Sequence, residues 1–410
     1  MKIMSKLIND EKSVEEFLQK GVAEIFPGKE ALKKRMMMDK PMTVYCGFDP
    51  SAASLHIGNA ILLNKLGQLQ QLGHRVIFLI GDFTGMIGDP TDKSATRKKL
   101  TREEVLANAK NYKQQASGYL DFEGENPAQI RYNSEWSDKM TFRDLIELSS
   151  NFTVQQMIQR DMFKKRMEEE KPIYLHEFLY PLAQGYDSVA MDVDLEIGGN
   201  DQMFNMLCGR DLMQVLKKKE KFVLTMKLLA DDSGKKMGKS EGNAVFLDQT
   251  PEDMYGRVMS WADGVLGVAF ELCTDLPMAE VQAVYQELKD PSTNPRDIKM
   301  RLAFAIVRMN HGQKEAQKAQ DYFIKTIQKK EVPEDIKTVI LKQGDFLTDV
   351  LVAEGLAASK GDARRKIQQG GVKLDETVVS DSQLKVEVSF QGKILKVGKR
   401  EFRKIEIVNQ

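Results

Sequence analysis

The chain alternates between short unbroken apolar runs and longer stretches of helical period. Thr43 to Phe48 (TVYCGF), Arg75 to Phe83 (RVIFLIGDF) and Phe222 to Asp231 (FVLTMKLLAD) are apolar runs of the kind that predicts buried strands. Between the first two, SAASLHIGN opens a helix through Leu72, and Gly73 ends it as a glycine just past a helix C-terminus does. Strand, helix, strand is the βαβ pattern of a parallel sheet, with a right-handed crossover as the default. Met191 to Gln202 (MDVDLEIGGNDQ) reads as strand then turn, with helix from Gln202 onward. Residues 1–40 read as helical with a break at Phe26-Pro27-Gly28, and 101–119, 142–170 and 176–189 also read as helical.

After Thr250 the pattern changes, and Pro251 to Lys330 has helical periodicity with few strand signals. Lys329 to Lys337 (KKEVPEDIK) resembles an exposed linker. From Phe346 a small α/β unit follows, with strands expected in KLDETVVS, LKVEVSF, KILKVG and FRKIEIV. Three modules result. They are an α/β domain over 1–245 with an insertion at about 120–175, a helical domain over 246–335, and a small α+β module over 345–410. A length of 410 residues suits two to three domains.

Sixty Lys and Arg balance sixty Asp and Glu. This argues against a uniformly basic nucleic-acid binder, although a local basic patch survives the average. Cys46, Cys208 and Cys273 are far apart, which disfavours a disulfide framework or structural zinc site and favours a reducing cytoplasm. The N-terminus carries no signal-peptide pattern, and the run Val76 to Ile80 is too short to span a bilayer.

Two motifs carry candidate chemistry. Phe48-Asp49-Pro50-Ser51 leads into His56-Ile57-Gly58-Asn59 directly after a strand and at a helix start, where free backbone N–H groups can hold phosphate. His56 and Asn59 share one helix face, and Gly58 lets a nucleotide approach the backbone. The second motif is Lys235-Lys236-Met237-Gly238-Lys239-Ser240 in a polar loop, which is not a Walker A loop. Mobile lysines suit a transition state in which charge grows on a leaving pyrophosphate. Alone, the first fits an ordinary helix start and the second a solvated basic loop. Tyr180, Gln184 and Asp187, spaced four and three apart, line one helix face in apolar surroundings that include Pro181.

Together HIGN and KMGKS resemble the HIGH and KMSKS signatures of class I aminoacyl-tRNA synthetases. YCGFDPSAASLHIGN, GMIGDPTDKS, YPLAQGYDS, EIGGNDQMFN and KKMGKS, in this order, resemble the blocks of the bacterial-type tyrosyl-tRNA synthetases over most of the chain. The resemblance implies a Rossmann-like catalytic domain that activates tyrosine with ATP and transfers it to tRNA(Tyr). It implies Mg²⁺ accompanying ATP, no tightly bound cofactor or resident metal, a homodimer joined through the insertion, and no membrane association. It assigns Tyr45 and Asp187 to the tyrosine phenol, with Glu196 in the same pocket where some relatives carry Gln. Asp89, Tyr180 and Gln184 take the α-amino group. Gly47, Asp49, His56, Gly58, Gly199, Asp201, Gln202 and Lys239 line ATP and the adenylate, with Asp201 on the ribose. Ser51, His56, Asn59, Lys93, Arg97, Lys236, Lys239 and Ser240 stabilise the transition state.

A Tyr hydroxyl and a carboxylate can together satisfy a phenolic O–H, and phenylalanine would leave both unpaired. The resulting discrimination, roughly 10⁴–10⁵, is a magnitude established for tyrosyl-tRNA synthetases themselves and taken over with the resemblance. Two positions depart from the family pattern: Asn59 replaces the second His of HIGH, and Gly238 replaces the middle Ser of KMSKS. The amide of Asn59 can still donate to a phosphate or ribose oxygen. Ser359 to Arg365 opens a helix that ends at Gly370-Gly371 and resembles the S-four RNA-binding module, with Lys360, Arg364 and Arg365 as its cationic face. Between Lys393 and Lys404 six basic residues meet one acid, a composition suited to phosphate contacts. A tryptophan-specific relative, a catalytically silent RNA binder on the same scaffold, and a small nucleotidyltransferase stay open as alternatives. Tyrosine-dependent exchange of ATP with pyrophosphate separates them.

Overall fold

The computed structural model describes residues 7–89, 100–230, 244–328, 337–375, 377–398 and 401–408. The chain forms two compact units, Met1–Gln313 and Lys314–Gln410. The first is built on a sheet of six strands, β1 (Val22–Phe26), β2 (Thr43–Phe48), β3 (Arg75–Ile80), β4 (Gln129–Tyr132), β5 (Leu195–Gly199) and β6 (Phe222–Met226). Their order is β1-β6-β5-β2-β3-β4, parallel except for β1, which runs antiparallel to β6. The central strands carry the expected apolar runs because helices cover both faces. All of Val76 to Ile80 and all of Phe222 to Met226 are buried. β1 and β4 were not expected from the sequence. Each lies at an edge, paired on one side and partly exposed, so neither needs an unbroken apolar run.

Helix Ile57–Gln71 connects β2 to β3, and Gly73 follows its end with φ +88°, as its position past the helix predicted. Residues 1–40 hold two helices, Glu11–Gln19 and Lys29–Met36, with β1 between them. The stretch from Phe142 divides into helices Phe142–Ser149, Val154–Ile158 and Asp161–Glu168. Thr141 and Thr153 cap the first two through their side chains. The helical region expected over 246–335 divides at the boundary between the units, and helices Pro251–Met259, Leu266–Cys273, Met278–Glu287 and Pro295–His311 belong to the first.

The second unit begins with helix Gln313–Phe323 and ends in a five-stranded sheet. Its strands are β7 (Thr338–Lys342), β8 (Val372–Leu374), β9 (Thr377–Val378), β10 (Ile394–Val397) and β11 (Glu401–Val408), in the order β7-β11-β10-β8-β9. The sheet packs on helices Leu347–Ala353 and Lys360–Gln368 through a core that includes Val339, Leu351, Ile367 and Ile405. β7 was not anticipated. The segment LKVEVSF, read as a strand, instead holds a single helical turn at Val388–Phe390. No described helix is long and apolar enough to cross a membrane.

His74, buried just before β3, accepts the Met42 N–H at 3.2 Å through Nδ1 and so ties the entry of β2 to that of β3. Burial, with Arg35 nearby, pulls its pKa from 6.5 down to about 4. The folded protein keeps the imidazole neutral, so the unfolded chain binds the extra proton first. Stability from this group is complete above the unfolded value and is lost as pH falls toward the folded one, by up to about 3 kcal/mol. His74→Asn retains an acceptor without the titration. Urea denaturation at neutral pH and near pH 4.5 should show an acid loss smaller by roughly 2 kcal/mol in the variant. Equal losses would contradict this role.

Candidate active site

The parallel strands end at one edge of the sheet. The chain winds one way from β2 through β3 to β4 and the other way from β5 to β6. Ligands of open parallel sheets lie in the crevice at such a reversal, here between β2 and β5. Tyr45 of β2 stands directly beside Glu196 of β5 across that join. Its buried hydroxyl is 2.9 Å from Ser188 Oγ. Burial, with Glu196 and Asp187 close by, pushes its pKa well up, so it stays a neutral phenol able to donate and accept.

Helix Leu175–Met191 runs against these strands and turns Tyr180, Gln184, Asp187 and Ser188 inward. Its start is fixed by Glu177, which accepts the Tyr174 N–H at 3.0 Å and pairs with buried Arg166 at 3.0 Å. Its middle closes tightly on helix Met203–Leu212. A Cβ at Gly185 would come 3.1 Å from the Gly209 nitrogen.

Each polar group on this face has a defined hydrogen-bond direction. Asp187 accepts from Trp136 Nε1 at 2.8 Å on one oxygen and from Asn133 Nδ2 at 3.3 Å on the other. Burial raises its pKa above the ordinary aspartate value, opposed by those two donors, which favour the carboxylate. Tyr180 donates its hydroxyl to Asp49 Oδ2 at 2.7 Å, and Thr84 donates to Asp49 Oδ1 at 2.7 Å. Gly81 makes room for that carboxylate, since a Cβ there would fall 1.9 Å from Asp49 Oδ1. The Gln184 amide donates to Glu196 Oε1 at 3.0 Å, and its carbonyl accepts from Asn205 at 2.9 Å. Asp89 accepts from Gln202 Nε2 at 2.7 Å and from buried Arg160 at 3.3 Å. With its hydrogen given to Asp49, Tyr180 offers only its oxygen to a ligand near Asp89, and the Gln184 carbonyl, which accepts from Asn205, keeps a second lone pair. Three acceptors on one side of a pocket suit an ammonium.

On the other side, His56 occupies the N-cap of helix Ile57–Gln71. Asn59 Oδ1 accepts the His56 N–H at 3.0 Å, so its carbonyl serves the cap and only its NH₂ can act as a donor to a ligand. Ser51 follows the Asp49 turn, its N–H bonded to the Asp49 carbonyl at 2.8 Å. Gly47 has only Leu79 near its Cβ direction, at 3.8 Å. Gly58 is close to the His56 ring, and Gly199 to exposed Asp201. Past the lysine loop, Val245 and Leu247 bond alongside Leu55 and Ile57 at 2.8 and 2.9 Å. This strand-like contact brings the far side of the KMGKS loop to HIGN, although the motifs are far apart in sequence. Lys93, Arg97, Lys236, Lys239 and Ser240 lie outside the described residues. The described residues contain no cluster of His, Cys, Asp or Glu suited to hold a metal.

In the second unit Lys360, Arg364 and Arg365 are exposed on helix Lys360–Gln368. Lys360 pairs with Asp349 at 2.8 Å and Arg365 with Asp362 at 2.6 Å. The sequence reading missed several groups that shape the pocket: Thr84, Asn133, Trp136, Arg160, Ser188, Asn205 and Lys221. Asn133 and Trp136 follow β4, itself unread. Ser188 had a signal, since it is one turn past Gln184 and beside Asp187.

The sequence family described as tRNA synthetases class I (W and Y) matches residues 37–328. The chain is 43% identical over 389 residues to the tyrosine–tRNA ligase of Thermotoga maritima, covering 95% of this chain and 96% of that one. It is 43% identical over 393 residues to tyrosine–tRNA ligase 2 of Vibrio cholerae, covering 95% and 97%. Among solved structures, a C-terminally truncated mitochondrial tyrosyl-tRNA synthetase of Coccidioides posadasii aligns with a TM-score of 0.62 at 25% identity, over 76% of this chain and 92% of that one. The fold also matches that of a tyrosyl-tRNA synthetase of Archaeoglobus fulgidus complexed with L-tyrosine, with a TM-score of 0.60 at 19% identity, over 76% of this chain and all of that one (100%).

Proposed function

The chain belongs to the class I tRNA synthetases of the W and Y family, and from that membership we propose that it is a tyrosine–tRNA ligase. The observation that carries the choice of amino acid is a buried Tyr45 hydroxyl close to an Asp187 carboxylate that Trp136 and Asn133 orient. A phenol fits both, as donor to the carboxylate and acceptor from the Tyr45 hydroxyl. The substrate ammonium goes to Asp89, the Tyr180 oxygen and the Gln184 carbonyl.

The tyrosine carboxylate attacks the α-phosphorus of ATP in line. The bond to the bridging oxygen breaks, pyrophosphate leaves with that electron pair, and tyrosyl-adenylate remains. A terminal ribose hydroxyl of tRNA(Tyr) then attacks the acyl carbon, and AMP leaves as its proton is lost. The first nucleophile is already an anion, so positioning and charge stabilisation carry the chemistry. Ser51, His56, Asn59, Gly58 and the helix start receive the phosphates, and Gly47, Asp49, Gly199, Asp201 and Gln202 line the adenylate. The sequence pattern assigns Lys93, Arg97, Lys236, Lys239 and Ser240 to the departing pyrophosphate. Mg²⁺ enters with ATP as substrate. Lys360, Arg364 and Arg365 serve RNA phosphate in the second unit. The three cysteines are buried free thiols, in keeping with a reducing cytoplasm.

A homodimer is proposed through the insertion. Phe142 is 78% exposed and Leu175 84% exposed, and Phe142 lines a cavity of about 310 Å³ with Phe83, Ile87, Met140, Leu179 and Tyr186. Such apolar exposure suits a partner surface.

ATP–pyrophosphate exchange should depend on tyrosine, with phenylalanine lower in kcat/KM by a factor on the order of 10⁴, the established family magnitude for the missing hydroxyl, and with no significant exchange driven by tryptophan. Exchange driven by tryptophan, or none with any of the three, would overturn the reading. Phe142→Asp should convert the protein to a monomer in sedimentation and lower its stability toward dilution. An unchanged mass would place the contact elsewhere.

A further inference from the structure

Glu196 and Lys221 form an ion pair with 2% and 0% of their side chains exposed, the first on β5 and the second just before β6, the strands that floor the amino-acid pocket. Every hydrogen-bond partner of Glu196 can donate: the Gln184 amide at 3.0 Å, the Lys221 ammonium, and the Ser188 hydroxyl at the 3.5 Å limit. That arrangement fits a carboxylate, which can accept from all three. Lys221 also donates to the Met206 carbonyl at 3.1 Å, on the helix that supplies Asn205 to Gln184. The slot for its ammonium exists because position 209 is glycine. A Cβ there would come 2.6 Å from Lys221 Nζ and 2.8 Å from Ser188 Oγ.

We propose that Lys221 is a positioning residue for amino-acid binding: by holding Glu196 as an acceptor, it keeps the Gln184 amide turned with its carbonyl toward the substrate ammonium. The proposal rests on the tyrosine reading above. Without the ammonium, Glu196 loses its paired cation and is no longer fixed as an acceptor for the Gln184 amide. An amide free to turn over presents its NH₂ to the substrate ammonium, donor against donor. The same change reaches Tyr45 through Ser188. Because the contact to the ammonium is present before and during the reaction, its loss should appear in KM for tyrosine rather than in kcat.

The test compares exchange kinetics of the full-length protein with Lys221→Met and with the double variant Glu196→Gln/Lys221→Gln, which removes both charges and restores an amide chain. Lys221→Met should raise KM for tyrosine at least about tenfold, with kcat and KM for ATP within about threefold. The double variant should recover KM to within about threefold of the unmodified protein. An unchanged KM in Lys221→Met, a loss confined to kcat, or a double variant as impaired as the single would overturn the proposal. So would failure of both variants to fold, which would make the pair a folding element only. If Lys221→Met alone fails to fold, a double variant with near-normal KM supports the proposal and an impaired one overturns it. Exchange by the unmodified protein is measured first. A wrong substrate reading therefore shows there, and a wrong role for Lys221 shows only in the variant ratios.

Discussion

The pairing of β2 with β5 is the constraint on which the amino-acid pocket depends. These strands are neighbours in space, although nearly half of the first unit's chain separates them, and their register sets Tyr45 beside Glu196. The winding of the sheet reverses at this join, so no connecting helix crosses the crevice and a ligand can enter from the strand ends. Helix Leu175–Met191 then needs only one polar face to complete the pocket. It packs closely on helix Met203–Leu212 through Gly185 and Gly209.

A pocket this buried cannot leave the orientation of its polar groups to water. Each ligand-facing group has its direction imposed from behind by a second group. Asp49 takes the Tyr180 hydrogen, Glu196 takes the Gln184 amide, and Trp136 and Asn133 orient Asp187. The acceptors that remain could equally have been donors had these partners differed. In a low-dielectric site such networks act jointly, and a single misdirected amide opposes a charged ligand instead of binding it. In the proposed reading, selectivity for a hydroxylated amino acid is distributed over residues behind those that would meet it.

Much of this was legible in the sequence because buried parallel strands and helix faces leave strong periodic signals. β2, β3 and β6 could be read as apolar runs, β5 as a strand leading into a turn, and the spacing of Tyr180, Gln184 and Asp187 gave one face. The edge strands β1 and β4 left no such signal because half of each faces outward, and with β4 went Asn133 and Trp136. Lys221 ends a charged run, KKKEK, that reads as solvated surface. Only the fold shows that its last lysine turns inward against Glu196. Arg160 likewise lies in an exposed-looking helical stretch yet reaches Asp89. Asn59, a departure from the family signature, retains a clear local task as the helix cap.

The most direct measurement is a crystal structure of the protein with L-tyrosine bound. The phenol oxygen should lie within about 2.6–3.2 Å of both the Tyr45 hydroxyl and the Asp187 carboxylate, with the ammonium at Asp89, Tyr180 and Gln184. Tyrosine bound in the reverse orientation, with its ammonium at Asp187, or outside the crevice between β2 and β5, would contradict the assignment of the pocket.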